Sequence, residues 1–196
     1  MKPWWRLARS VQIQHLINKG LRMTNRLGGK GATFQDVLAA FDALPKHPCT
    51  NPTFTDQCAI RLSHALMDCD VDLSGLHATR CWSDTSVYNK THIIRAEEFG
   101  NAIKSTSLSG LGKLQTVAPS KYQSELSGKT GIVFFKNYWQ RQGETFANRT
   151  GDHIDLWNHN RTTGYWFSWS RNFWESISGD VSDRNKSSEV WFWPFS

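Results

Sequence analysis

Residues 55–66 read Thr55-Asp56-Gln57-Cys58-Ala59-Ile60-Arg61-Leu62-Ser63-His64-Ala65-Leu66. Ile60, Leu62, Ala65 and Leu66 recur at helical spacing as a buried stripe, Thr55 is an N-cap candidate, and Asp56 supplies an acid for the first turn. Cys58 therefore falls near the start of the predicted helix, beside unpaired backbone N–H groups and the positive end of the macrodipole. A thiol placed there is favoured as thiolate, the form that acts as a nucleophile. The same N–H groups suit the oxyanion formed when a thiolate attacks an amide carbonyl. Cys58 read alone is equally a small buried apolar residue, because a nucleophile also needs a base held on a rigid element.

On the N-terminal side of this helix, Pro45, Pro48 and Pro52 mark residues 42–53 as a connector. Before the connector, Phe34 to Phe41 reads as a helix, and Leu16, Ile17 and Leu21 form the apolar face of an earlier one. Gly28-Gly29-Lys30-Gly31 separates the two. This glycine cluster lacks the residue order and the preceding strand of a phosphate loop. On the C-terminal side, Asp68 to Asn89 is polar and aperiodic, a candidate cleft wall, and Arg95 to Ile103 is a further helix with Phe99, Ala102 and Ile103 on one face.

From Gly128 the period becomes that of sheet. Gly131–Trp139, Asp152–Asn158, Gly164–Trp169 and Val190–Phe195 read as strands. Helices first and antiparallel strands later is an α+β order, with the N-terminal helices packed on an antiparallel β-sheet. The length of 196 residues fits a single domain, 1–196, with residues 1–30 as a candidate N-terminal extension.

The second strand carries the candidate base. Among the seven histidines only His153 opens a strongly strand-like segment. Asp155, two residues on, projects to the same face and is placed to orient the imidazole, while Ile154 and Leu156 face the core. The four cysteines show no C-x-x-C pair and no Cys/His zinc spacing, so no metal is expected. Pairing among Cys49, Cys69 and Cys81 stays open.

These segments resemble the fourth family of type VI secretion amidase effectors. The resemblance rests on the helix Thr55–Leu66 and on Gly151-Asp152-His153-Ile154-Asp155-Leu156-Trp157-Asn158. Supporting features are Ile94–Phe99, the strand Gly128–Phe135 and the terminal Val190-Trp191-Phe192-Trp193-Pro194, so that it runs in order over about residues 30–196. It implies a papain-like fold of the NlpC type and a cysteine amidase with Cys58 as nucleophile and His153 as base. It further implies hydrolysis of the D-Glu–meso-diaminopimelate bond of peptidoglycan stems, export through type VI secretion delivery components into the periplasm of a rival bacterium, and a periplasmic immunity protein that blocks the cleft. No cofactor is implied.

One departure concerns the third member of the triad. Family members carry an Asp on the strand after the histidine, yet Gly164–Trp169 holds no carboxylate. The role is assigned to Asp155, with Asn158 as the alternative whose amide oxygen would fix the imidazole tautomer. Trp82, Trp157 and Trp166 are candidates for packing on the substrate peptide, and Arg61 or Arg80 for meeting a substrate carboxylate.

Composition limits the other readings. A net charge of +6 and a pI near 9.3 favour an anionic partner. The aromatics are not interleaved with the basic residues, which argues against nucleic acid. The longest apolar runs are too short to cross a bilayer, so no membrane insertion is expected. Residues 1–10 form no apolar h-region, so no signal peptide is expected. Ten Trp exceed what a core of this size needs, and Trp166, Trp169, Trp174, Trp191 and Trp193 motivate a second reading, a wall- or carbohydrate-binding module without catalysis.

Overall fold

A computed structural model describes residues 31–49, 51–82, 92–163 and 182–195. The predicted helix around Leu16–Leu21 and the predicted strand Gly164–Trp169 lie outside the described residues. Residues Ala32–Ser196 belong to one compact unit.

Helix α1, Phe34–Ala43, starts with a capping box. Thr33 Oγ1 accepts from the Asp36 N–H, and Asp36 Oδ2 accepts in return from the Thr33 N–H at 3.1 Å. The helix buries Phe34, Val37, Ala40 and Phe41 and stops at Leu44, ahead of Pro45, where α-helical geometry is disfavoured.

Helix α2 spans Cys58–Asp68, with Gln57 at its cap, and begins two residues later than a Thr55 cap suggests. The reason is Gln57. Its side-chain amide donates to the Cys49 and Phe54 carbonyls at 3.1 and 2.7 Å and accepts from the Cys49 N–H at 3.2 Å. These bonds hold the segment before Cys58 as a loop, so neither Thr55 nor Asp56 serves as cap or first-turn acid. Ala59, Leu62, Ala65 and Leu66 join the main core, whereas Ile60 packs into a smaller cluster with Cys49 and Cys81. Helix α3, Ala96–Ser105, has Glu97 and Glu98 in its first turn and Lys104 in its last, in keeping with its dipole, and buries Phe99, Ala102 and Ile103.

The sheet has five strands: β1 Gln115–Val117, β2 Lys129–Trp139, β3 Gly151–His159, β4 Arg161–Thr162 and β5 Glu189–Pro194. Their order is β1-β5-β2-β3-β4, with antiparallel neighbours throughout. This is the α+β, papain-like arrangement the sequence predicts. Alternation sorts the side chains. Ile132, Phe134, Ile154, Leu156, Trp191 and Trp193 pack with the helices in one core. Val133, Phe135, Trp157, Val190 and Phe192 build a second core with Tyr122 and Leu126, closed by a one-turn helix, α4, at Tyr122–Glu125.

Pairing of β2 with β3 runs regularly from Lys129↔His159 to Phe135↔His153 and resumes at Trp139↔Gly151. The interruption is a bulge at Asn137, which adopts φ 51° and donates its N–H to Asp152 Oδ1 at 2.9 Å. Gly151, opposite Trp139, leaves no room for a β-carbon, which would overlap the Trp139 ring and its carbonyl oxygen. No helix among the described residues is long and apolar enough to cross a membrane.

Candidate active site

Starting α2 at Cys58 places the sulfur at the first helical position, half-buried, with the free N–H groups of the opening turn beside it. Arg61 provides the first amide of the regular ladder, donating to Gln57 O at 2.8 Å. The side chain that faces the sulfur comes from β3, just beyond the Asn137 bulge.

Cys58 and His153 line the same groove, and Cys58 is among the groups that raise the His153 pKa. His153 Nε2 is 3.3 Å from Asp155 Oδ2. Burial alone disfavours the imidazolium, but the hydrogen bonds to Asp155 and Cys58 and their charges outweigh it. The pKa rises from 6.5 to about 9. The Tyr138 ring stands 6.0 Å from the imidazole, centre to centre, and limits its rotation.

Asp155 is 2% exposed and satisfied on several sides. Besides His153, its carboxylate accepts from the Leu156 N–H at 2.8 Å and from the Thr163 hydroxyl. A buried carboxylate with these donors is fixed in place and aims Oδ2 at the ring. Next along the strand, burial raises the pKa of Asp152, which the Asn137 N–H opposes. Asn158 lies on the opposite face of β3 by strand alternation and does not line the pocket, so the structure does not bring it to His153.

A groove of about 790 Å³ opens over this group. Its walls come from the segment before α2, from β3 and from residues 182–185, and they carry the cations Lys46, Arg61, Arg161 and Arg184 beside Asp56 and Asp183. Arg61 is directed inward over the Phe41 ring, and its guanidinium donates to Pro45 O and Phe41 O at 2.6 and 3.1 Å. Burial lowers its pKa, against the nearby charges of Asp155 and Asp42.

The tryptophans suggested for substrate packing are placed differently. Trp157 borders the groove but is only 1% exposed; its ring packs edge-on to Tyr122 and its indole N–H donates to Leu126 O at 2.8 Å. It is a core residue, because β3 alternation sends it into the second core. Trp82 is 62% exposed and stands edge-on to Phe54, outside the groove. Arg80 donates to Leu73 O, also outside it. Trp166 lies outside the described residues.

The sugar-module reading loses two of its rings, since Trp191 and Trp193 are each 2% exposed in the main core. Trp169 and Trp174 lie outside the described residues.

Sequence reasoning did not single out Gln57, Tyr138 or Thr163. Thr163 reaches Asp155 because the turn at His159 and Asn160 folds β4 back along β3, with the Thr163 N–H donating to Leu156 O at 3.0 Å. Only recognition of that two-strand return would have revealed it. Among the described residues one group of metal-capable donors comes together, Cys49, Cys81 and His92, away from the groove.

Comparison with known families finds a match over most of the chain. The model described as "Type VI secretion system (T6SS), amidase effector protein 4" covers residues 54–193. It includes Cys58, His153 and Asp155. No curated protein matches the chain.

Proposed function

The chain belongs to the type VI secretion amidase effector protein 4 family, and from that premise we propose that it is a cysteine-dependent hydrolase of peptidoglycan stem peptides. The bond cut is the amide between D-Glu and meso-diaminopimelate. We assign the activity to the compact unit Ala32–Ser196, with Cys58 as nucleophile, His153 as its acid–base partner and Asp155 as the group that positions the imidazole. One observation carries this reading: a sulfur at a helix start shares a groove with an imidazole whose Nε2 faces a buried carboxylate.

The chemistry follows from that geometry. The Cys58 thiolate adds to the amide carbonyl carbon, and the negative charge gathered on oxygen meets the unpaired N–H groups of the first turn of α2. The His153 imidazolium then gives its proton to the leaving amine nitrogen as the C–N bond breaks, which leaves a thioester on Cys58. Neutral His153 next takes a proton from water. The resulting hydroxide attacks the thioester, and the thiolate departs from a new carboxylic acid. Throughout, Asp155 keeps the ring from turning away, supported by the Thr163 hydroxyl.

The groove supports the substrate class. A stem peptide carries free carboxylates, and Lys46, Arg161 and Arg184 give the walls positive charge where such a chain would lie. Arg61 has a wall-building part, because its guanidinium already engages two carbonyls. The protein acts in the periplasm of a target bacterium after delivery by the type VI apparatus. An immunity protein in the producer's periplasm fits over the same groove.

Digestion of purified sacculi tests the reading. The native chain is expected to release muropeptides cut at the D-Glu amide, and Cys58→Ala to release none while remaining folded. Undiminished release by that variant would refute the assignment.

A further inference from the structure

Beyond the groove, the structure brings two of the three remaining thiols together. Cys49 and Cys81, 32 positions apart in sequence, have their sulfurs in contact at 4.0 Å, both buried, in a small cluster with Ile60. Cys69 belongs to the main core instead. An imidazole nitrogen of His92 lies within 4.8 Å of both sulfurs, which puts a base beside thiols that must ionise before they can exchange. We propose that Cys49 and Cys81 are a disulfide site, reduced where the chain is made and oxidised once it reaches an oxidising compartment.

The cluster could instead suggest a metal ion, but the donor set argues otherwise. A structural zinc site needs four ligands, and among the described residues three come together here. The nearest further imidazole, His64, is engaged with His92 itself, Nε2 to Nδ1 at 2.9 Å. Two thiols in contact, with no fourth donor gathered on them among the described residues, fit a covalent pair better.

The reaction is a thiol–disulfide exchange with a protein or small-molecule disulfide as oxidant. One thiolate attacks the oxidant and expels a thiolate, and the second attacks the mixed disulfide. Two Cys–SH and one R–S–S–R give Cys49–S–S–Cys81 and two R–SH, so both protons and both electrons end on the oxidant's sulfurs.

Its consequence runs through Gln57. Cys49 exchanges hydrogen bonds with the Gln57 side chain through both its N–H and its carbonyl, and Gln57 immediately precedes Cys58. Cys81 N–H donates to His92 O at 3.0 Å, beside the bridge of Arg80 with Ile93. The bond therefore fastens the loop that sets the start of α2 to the segment around the Arg80–Ile93 bridge. Only the compartment where oxidant is met rests on the proposed delivery; the bond itself does not depend on catalysis.

The test uses the full chain carrying Cys58→Ala, so that the groove thiol takes no part. After equilibration with oxidised glutathione, a non-reduced digest is expected to link the Cys49 and Cys81 peptides and leave Cys69 open to alkylation. The melting temperature is expected to rise on oxidation by on the order of 10 °C. Adding Cys49→Ser or Cys81→Ser abolishes that rise, and Cys69→Ser retains it. Cys49 and Cys81 both alkylated after oxidation, a link involving Cys69, or stoichiometric zinc released only when the thiols are blocked would each overturn the proposal. Since the test contains no hydrolysis step, its failure and that of the amidase reading are told apart.

Discussion

His153 holds its proton above the ordinary imidazole range because Asp155 and Cys58 both stabilise the charged ring against burial. Its folded value of about 9 exceeds the unfolded 6.5. The stability it contributes is therefore complete below about pH 6.5 and lost as pH climbs through 9. In the proposed mechanism the imidazolium is also the acid that the leaving amine needs, so kcat/KM on a stem peptide should fall along an alkaline limb with a midpoint near 9. Proton NMR of the ring should place its titration there. Cys58→Ala and Asp155→Asn should each move it down, since each removes a group that favours the charge. A midpoint unmoved in both variants would show that neither residue faces the ring. Thr163→Val should lower kcat about tenfold or more with little change in KM, because it frees the carboxylate and not the substrate walls. At Trp157 the expectation is reversed: Trp157→Ala should cost about 3–5 kcal/mol of stability, read by urea unfolding, since the ring fills the core.

At the scale of elements, α2 and β3 carry the candidate site, and the Asn137 bulge interrupts the β2–β3 pairing next to it. Gly151→Ala drives a β-carbon into Trp139 at the point where β2 and β3 resume pairing. That variant should lose most hydrolytic activity through displacement of His153 two residues away, with a lowered melting temperature as the accompanying readout. By contrast Thr33→Ala, at the start of α1 and far from the chemistry, should cost about 1 kcal/mol and leave kcat unchanged.

The long elements were legible in the sequence because each carries its own period. Phe34–Phe41 shows helical spacing, and Asp152–Asn158 shows alternation with His153 and Asp155 on one face. Where α2 begins was not legible. Thr55 is a good local cap, and Gln57 overrides it through bonds to Cys49, eight residues away. Strands β1 and β4, three and two residues long, are too short to show a period and owe their form to β5 and β3. The burial of Trp157 was not legible because an aromatic on a strand reads the same in sequence whether it faces a groove or a core. Thr163 was invisible because its contact with Asp155 depends on a chain reversal.

For the molecule as a whole, the charge of +6 and the cations of the groove give an electrostatic pull toward anionic wall polymer. Binding of Cys58→Ala to sacculi should weaken as sodium chloride rises from low to physiological ionic strength, measured by co-sedimentation. Salt-independent retention would point to apolar contact instead. The sheet has a further property. Strand β5 follows every other described strand in the chain, yet it lies between β1 and β2. During synthesis β1 waits for a neighbour until residues 189–194 have left the ribosome, and the core around Trp191 and Trp193 cannot close earlier. A chain built in this way cannot complete its sheet, or the core beneath it, before translation has passed β5.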